Sequence, residues 1–331
     1  MLKYILKRLG ISIIILFGVS IILYTLVRMM PTDYIDIKYA EQLKSGTVTP
    51  EQILEFKKMY GLTGSIFGGY FEWLSNLFTK GLGNSFKYEK PVTQVIGENM
   101  WISFAIGAIA TVLQFIISIP LGISSATHQY TARDYAVTVF TMMGISLPTY
   151  FFAAVVIKIF SVELGWLPSN GLIYASISYP DTFMGGLQKL GDMAKHLILP
   201  ISVSVLLSLG GLMRYTRTNM LEVLNADYIR TARAKGLSEH TVIYKHAFRN
   251  TLIPLATLLA GILPGLFGGM MITEQVFGIN GIGRLAYQAL KEGDIPFVMG
   301  YNMFLAILTV IGTLFSDIMY SIVDPRVKLG K

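Results

Sequence analysis

The stretch Trp101–Ala126, WISFAIGAIATVLQFIISIPLGISSA, decides the fold class of this chain. It contains no charged residue, and it is longer than the roughly 20 apolar residues that a helix needs to cross a bilayer core of about 30 Å. Membrane strands are shorter and alternate between apolar and polar positions, which this stretch does not do. The sequence therefore predicts a transmembrane helix here.

Five further apolar stretches of comparable character occur along the chain. They are Leu9–Met30, Ala136–Ser161, His196–Met213, Asn250–Thr273 and Phe297–Val323. The composition agrees, because 53% of the 331 residues are apolar and only 14% are charged, against about 25% in soluble domains. This composition excludes a disordered chain and an ordinary cytosolic enzyme, and the absence of cysteine excludes a disulfide scaffold. We predict an all-α integral membrane protein with six transmembrane helices.

Basic residues concentrate in alternate segments between these predicted spans. The segments carry Lys3, Lys7, Arg8, Arg133, Arg214, Arg217, Arg230, Arg233, Lys235, Lys245, Arg249, Arg326, Lys328 and Lys331. Segments rich in Lys and Arg stay in the cytoplasm, so both termini are predicted to be cytoplasmic. The net charge of +7 then reflects topology, and it gives no reason to expect nucleic-acid binding.

The predicted spans divide the chain into four regions. Residues 1–30 hold the N-terminus and first span, 31–100 an extracytoplasmic helical region, 101–323 the transmembrane core with a cytoplasmic coupling region at 214–249, and 324–331 a cytoplasmic tail. The apolar run of the first span, which Pro31 follows, is too long for a cleaved signal peptide. Two amphipathic stripes, Pro50–Met59 and Tyr70–Phe78, predict helices in the extracytoplasmic region. They form either a cap packed on the outer ends of the spans or a docking surface for a substrate-delivering partner.

The segment Asn225–Phe248, called the elbow below, is the most informative part of the chain. Asn225 is suited to cap a short helix, and Gly236 is suited to end it in the left-handed conformation. Ser238 then offers the cap of a second helix that continues into the fifth span. Such a helix–turn–helix can lie in a groove of another protein, or rest on anionic headgroups through its arginines. The spacing alone leaves both readings open.

Several residues inside the spans invite a functional or a structural reading. Arg28 and Lys158 lie near span ends and can reach the interface, whereas Asp317 is deeper and is expected to make a structural hydrogen bond. Prolines predict breaks or bends in the spans; they are Pro120, Pro148, Pro200, Pro254 and Pro264. Glycines in the fifth span serve close helix packing or line a substrate path; they are Gly261, Gly265, Gly268 and Gly269.

The elbow resembles the signature loop of the membrane-spanning subunits of ATP-binding-cassette (ABC) importers. That signature reads Glu-Ala-Ala, three residues, then Gly, and this chain has Ala232 and Gly236 at the third position and the glycine. Tyr228–Leu237 is similar to the form found in the peptide and nickel permeases. Other segments resemble the same branch; they are Met1–Ile5, Gly81–Ser85, Ser146–Pro148, Gly281–Arg284 and Asp324–Arg326.

The resemblance implies the first permease subunit of an oligopeptide or dipeptide importer, with the type I importer fold. The implied partners are a second permease, two cytoplasmic ATPases, an extracytoplasmic substrate-binding protein, membrane lipid and a peptide substrate. The implied ATPase contacts are Asp227, Arg230, Thr231, Ala232, Arg233, Ala234, Lys235, Gly236, Leu237 and Ser238. ATP and Mg²⁺ would sit on the ATPases, since this chain has no Walker motif, and no catalytic, cofactor or metal residue is expected in it.

Other functions remain open at this stage. Nickel or another small solute could replace the peptide, because the permease sequence hardly separates these substrates. An ATP-independent carrier is disfavoured by the lack of an internal repeat and by the few intramembrane charges. A receptor that only relays binding is a third reading. The four histidines, at 128, 196, 240 and 246, do not have the spacing of a metal site.

Overall fold

A computed structural model describes residues 2–30 and 32–323, and this part of the chain is almost wholly helical. The helices are α1 (Leu2–Arg28), α2 (Tyr34–Lys38), α3 (Ala40–Lys44), α4 (Pro50–Met59), α5 (Ile66–Lys80), α6 (Val92–Thr127), α7 (Ala132–Ser146), α8 (Thr149–Ile157), α9 (Phe183–Leu224), α10 (Asp227–Ala234), α11 (Arg249–Thr257), α12 (Leu259–Gly268), α13 (Met271–Val276), α14 (Ile282–Lys291) and α15 (Ile295–Val323), with π-helical segments π1 (Lys158–Glu163) and π2 (Thr241–Phe248). The all-α fold class is confirmed. The predictions for Pro31 and for the tail at 324–331 lie outside the described residues.

Within the described residues, four helices are long and apolar enough to cross a membrane. They lie within α1, α6, α9 and α15. A fifth crossing forms if Ala132–Ser146 and Thr149–Glu163 count as one span, although these segments are bent by 102°. The bend falls at Leu147, whose backbone is extended, because a following proline disfavours the α conformation. The break predicted at Pro148 is confirmed.

The predicted span Asn250–Thr273 is divided among three helices. α11 has 9 residues and α12 has 10, so neither crosses a bilayer alone. The interruption lies at Leu258, between Pro254 and Pro264, which are both inside helices. Gly269, with φ +74°, ends α12. The six predicted spans therefore correspond to four continuous helices, one bent pair and one divided segment.

Two helices extend well beyond their predicted limits. α6 begins at Val92 rather than Trp101, and α9 runs for 42 residues around the predicted span His196–Met213. At 1.5 Å per residue α9 is about 63 Å long, roughly twice the thickness of a bilayer core. Hydropathy marks only the apolar middle of such a helix, because its polar ends continue as helix in water. Both helices pass through their prolines, Pro120 and Pro200, without ending.

The region between α1 and α6 forms a cap, residues 32–91, on one end of the helix bundle. Tyr24 of α1 and Tyr70 of α5 share a buried cluster with Val92 and Phe297. The buried carboxylate of Asp294 accepts hydrogen bonds from the Phe86 and Lys87 amides at 3.1 and 3.0 Å, and from the Ser85 hydroxyl. The cap therefore packs on the ends of the spans, as the first of the two readings predicted. We call this end of the bundle the cap face.

The opposite end of the bundle carries the elbow, and we call it the elbow face. A buried cluster there joins Ile123 of α6 and Met220 of α9 to Ile229 and Val242 of the elbow. Asp317 lies toward the same end of α15 and forms an ion pair with Arg8 of α1 at 3.1 Å. The expectation of a structural contact for Asp317 is confirmed, with an arginine as the partner.

Candidate functional site

The first helix of the elbow, α10, begins at Asp227 without a side-chain cap. Its N-cap residue is Ala226, and Asn225 instead caps the end of α9, where its side-chain amide donates to the Leu221 carbonyl at 2.9 Å. The prediction that Asn225 starts this helix is therefore wrong. An asparagine that follows a long helix directly can satisfy that helix's free carbonyls, and α9 reaches much further toward the elbow than its hydropathy indicates.

The end of α10 is built as predicted. Gly236 has φ +77°, and its amide donates to the Arg233 carbonyl at 2.9 Å while the Leu237 amide donates to the Ala232 carbonyl at 3.4 Å. These two bonds define a Schellman motif, which needs a residue in the left-handed conformation and so favours glycine. The chain reverses sharply at this residue.

Side-chain contacts hold the turn in one shape. Arg233 donates from Nε and Nη2 to the two carboxylate oxygens of Glu239, at 2.8 and 3.3 Å, across the glycine. Ser238 accepts from the Thr241 amide at 3.4 Å and so caps the second helix, as predicted. A forked arginine–carboxylate pair fixes direction as well as distance. The two arms of the elbow are thus tied at their junction.

One face of the elbow is anchored in the bundle. Ile229 and Val242 are fully buried, and Ala232 is 6% exposed. They pack with Ile123 of α6 and Met220 of α9. Ala232, one of the residues assigned to the partner contact, therefore faces the chain's own spans. Its small side chain allows α10 to lie close to the bundle.

The other face of the elbow is open to solvent. The remaining nine assigned residues are all exposed; they are Asp227, Arg230, Thr231, Arg233, Ala234, Lys235, Gly236, Leu237 and Ser238. Tyr228 and Tyr244, which were not assigned to the contact, are each 47% exposed beside them. Partial burial raises the pKa of the Tyr228 phenol. Tyr228 directly precedes the buried Ile229, and helical periodicity around that apolar position could have placed the tyrosine outward.

The helices beneath the elbow are joined by an ion pair. Arg217 of α9 donates from Nε and Nη2 to the two carboxylate oxygens of Asp134 in α7, at 3.1 and 2.9 Å. The hydroxyl of Ser125 in α6 also donates to Asp134. Asp134 is almost fully buried. Three membrane helices are therefore held together close to the elbow.

A cavity of about 440 Å³, called the central cavity below, opens between α6, α9 and the divided span. Polar groups in its wall include Thr111, Gln114 and Tyr215. Gly261 and Gly265 line it as well, and among the described residues no atom outside the backbone of the same helix lies within 4 Å of where their Cβ atoms would be. These two glycines therefore leave open space, whereas Gly268 contacts Leu305. Of the two readings for the glycines, a lining role fits the first two and packing fits Gly268.

Comparison with known proteins places these features in a family. A family model described as "Binding-protein-dependent transport system inner membrane component" matches residues 118–329, which contain the elbow and most of the cavity wall. The chain belongs to this family. A second model, for the N-terminal part of such membrane components, matches residues 1–107.

Similar proteins cover the whole length of this inner membrane component. The oligopeptide transport system permease protein AppB of Bacillus subtilis (strain 168) is 35% identical over 99% of this chain and 100% of its own length. The dipeptide transport system permease protein DppB of Alkalihalophilus pseudofirmus is 33% identical, over 99% of this chain and 100% of its own length. A putative peptide transport system permease protein of Brucella abortus (strain 2308) is 35% identical over 99% of both chains.

The fold is shared with a solved transporter. A chain of the MetNI methionine ABC transporter, described in inward-facing conformations, superposes with a TM-score of 0.51 at 18% identity, and covers 71% of this chain and 98% of its own. The inner membrane component is accordingly a multi-pass membrane protein with the fold of an ABC importer permease, and it works in a complex with other subunits. ATPase activity belongs to separate subunits in such importers, so this chain is a transport subunit and not an enzyme.

Proposed function

We propose that this permease forms half of the translocation pathway of a peptide importer and that the elbow is its contact with an ATPase subunit. The two-sided construction of the elbow carries the proposal. Ile229 and Ala232 fix one face to α6 and α9, while Tyr228, Arg230 and Leu237 present the other face to solvent. A short helix with exposed aromatic, apolar and arginine side chains has the composition of an interface anchor.

The remaining partners follow from the same assignment. A second permease would complete the pathway, two ATPases would hold ATP and Mg²⁺ at the elbow face, and a substrate-binding protein would dock at the cap face. The bias of basic residues supports this orientation, because Arg8, Arg133 and Arg214 belong to the elbow-face set. Both termini would then be cytoplasmic and the cap extracytoplasmic, in the plasma membrane of a prokaryote. The peptide substrate is proposed from the names of AppB and DppB, which align with 99% of this chain.

The cavity supports a transport role for the same helices. Its walls come from α6, α9 and α12, and the first two of these also hold the elbow. A movement of the elbow would therefore reach the cavity walls through continuous helices. Alternating access by small shifts of packed helices needs such a connection.

The test is a bulky substitution on the open face of the elbow. Ala234→Trp adds volume at an exposed position, so the chain should insert normally but should no longer co-purify with its ATPases. Ser75→Trp is the matched control, since Ser75 is equally exposed on α5 of the cap and far from the elbow.

The readouts are co-purification of ATPase subunits and ATP-driven uptake in proteoliposomes that contain the complete complex and its binding protein. We expect Ala234→Trp to lose both and Ser75→Trp to keep ATPase co-purification, which is the readout that it controls because the binding protein would dock on the same cap. Normal ATPase binding and uptake in Ala234→Trp would contradict the role of the elbow. Uptake of nickel in place of peptide by the complex would contradict the proposed substrate.

A further inference from the structure

The cap face contains a second cavity, of about 310 Å³, at the opposite end of the bundle from the elbow. It lies between the end of α1, the end of α4, α5 and the start of α15. We call it the cap cavity. Its wall combines the rings of Tyr24, Tyr60 and Trp73 with the charged side chains of Arg28 and Glu72. An apolar wall with a few charged groups at separate points is the usual composition of a small-molecule site, and the volume lies at the lower end of the range of about 300–1,000 Å³ for such sites.

Arg28 in this wall is only partly satisfied. Its Nη1 donates to the Leu62 carbonyl at 2.9 Å, which orients the guanidinium group. Its Nε is buried without a hydrogen-bond partner, and no carboxylate in the described residues lies within ion-pair distance of the side chain. Because Nε is closed to solvent, an incoming acceptor would meet the guanidinium at its Nη groups, of which only Nη1 has a hydrogen-bond partner among the described residues. The sequence reading, in which Arg28 reaches into the interface, does not account for a guanidinium held to a backbone carbonyl.

Four glycines support the geometry of the cavity wall, one by leaving space for a neighbouring side chain and three by their backbone conformation. A Cβ atom at Gly69 would lie 2.3 Å from the hydroxyl oxygen of Tyr24, so glycine is needed for Tyr24 to take its place. Gly61, Gly81 and Gly83 also line the cavity and all have φ between +66° and +76°, a conformation that favours glycine. The cavity is therefore a built feature of the cap.

We infer that the cap cavity binds the C-terminal residue of a short peptide. The guanidinium of Arg28 would receive the terminal carboxylate, since arginine pairs with carboxylates through two parallel hydrogen bonds. The rings of Tyr24 and Trp73 would contact the last side chain, and Glu72 would face a positive group further along the peptide. The choice of a peptide rests on the proposed function, whereas the carboxylate site rests on Arg28 alone. A small ligand suits this site better than the flat surface of a partner protein does, because Arg28 lies in the wall of a cavity.

The experiment measures binding to the full chain in lipid nanodiscs, without ATP or partner subunits. The probes are Ala-Leu and its C-terminal amide, with inorganic phosphate as a competitor. Trp73 reports binding by fluorescence once Trp101 and Trp166, which do not line the cavity, are replaced by Phe. We expect the amide to bind at least about tenfold more weakly than the acid, because the amide cannot form a charge-assisted hydrogen bond with the guanidinium.

Two arginine variants make the test specific. Arg28→Gln should bind acid and amide equally weakly, whereas Arg28→Lys should keep part of the preference for the acid. Arg284→Gln is the matched control, because Arg284 also has a buried Nε without a partner and one side-chain hydrogen bond, to Asn280 at 3.0 Å, but does not line the cavity. It should bind the probes as the parent does.

Several outcomes would overturn the site. They are equal binding of acid and amide to the parent chain, a preference for the acid that survives in Arg28→Gln, and competition by phosphate as strong as by the peptide acid. Loss of binding-protein association in Arg28→Gln without any peptide discrimination would assign the arginine to a protein partner instead. Because neither transport nor ATPase binding is measured, these results stand apart from those for the proposed function, which fails in the co-purification and uptake assays.

Discussion

Substitutions at Gly236 test whether the shape of the elbow matters for coupling. This glycine has φ +77°, and no atom lies within 4 Å of where its Cβ would be. A side chain placed there would therefore meet no neighbour within the chain, and the whole cost of a substitution would be backbone strain. An L-residue in the left-handed conformation costs roughly 1–2 kcal/mol, less for asparagine and more for a β-branched residue.

These values set the expected order and size of the effects. Gly236→Asn should be nearly neutral, Gly236→Ala should destabilise the turn by about 1–2 kcal/mol, and Gly236→Val should exceed that. A change of one or two kcal/mol alters a local equilibrium about 5- to 30-fold. The open form of the turn, in which the Schellman bonds to Arg233 and Ala232 are broken, should be populated more by that factor in the alanine variant.

The assay is amide hydrogen exchange across residues 232–240, measured by mass spectrometry on the chain in nanodiscs, with peptide uptake by the complete complex measured in parallel. Exchange should rise and uptake should fall in the order Asn, Ala, Val. Asparagine is larger than alanine, so a pure steric effect on a partner would reverse the first two. An uptake order that follows side-chain volume, or exchange that does not change in the valine variant, would refute the conformational role of Gly236.

Three further perturbations address the helices and the cap. Asp134→Ala should destabilise the chain by up to about 3–5 kcal/mol, because it leaves the charge of Arg217 without its carboxylate partner. The double variant with Arg217→Met should recover most of that stability, as measured by unfolding in detergent. Gly261→Leu should fill the central cavity and reduce uptake while the unfolding temperature stays unchanged, because no atom lies within 4 Å of the new Cβ. Burial opposes the charged form of Asp36, but hydrogen bonds, led by the one from Lys57, lower its pKa overall. The charged carboxylate therefore stabilises the cap above the ordinary pKa of aspartate, and this stabilisation is lost as the pH falls through the lowered pKa of Asp36. Lys57→Met should move that acid transition of the cap to higher pH, as followed by exchange in residues 33–60.

Local chemistry in the sequence predicted part of the elbow and missed the rest. Gly236 and Ser238 were identified because glycine past a helix end and serine before the next helix act through their own backbone neighbourhood. Asn225 was misplaced because the true end of α9 depends on a helix that continues beyond its apolar stretch. Ala232 was assigned to a partner since a small residue suits either an interface or close packing on the chain's own helices, and only the fold distinguishes them.

The sequence analysis did not predict contacts between residues that are distant along the chain. Arg217 and Asp134 are 83 positions apart, and charge counting assigned both to a loop face without indicating that they pair. The shape of the central cavity depends on the break of the divided span at Leu258, and the hydrophobic periodicity of the sequence does not predict the position of that break. The apolar stretches fixed the fold class, since about 20 apolar residues have few alternatives to a membrane helix.

The arrangement of α6 and α9 explains how one contact could act on the whole permease. Both helices carry an elbow anchor near one end, Ile123 and Met220, and both line the central cavity within three turns of it, at Gln114 and Tyr215. From Met220 to Tyr215 is about 7.5 Å along the helix axis. A packed helix end transmits displacement over that distance because side chains in a dense interior have little room to absorb it. A push on α10 would therefore displace two cavity walls together, and the break at Leu258 would let α12 follow them without moving α11 by the same amount. Such a movement would change the shape of the cavity.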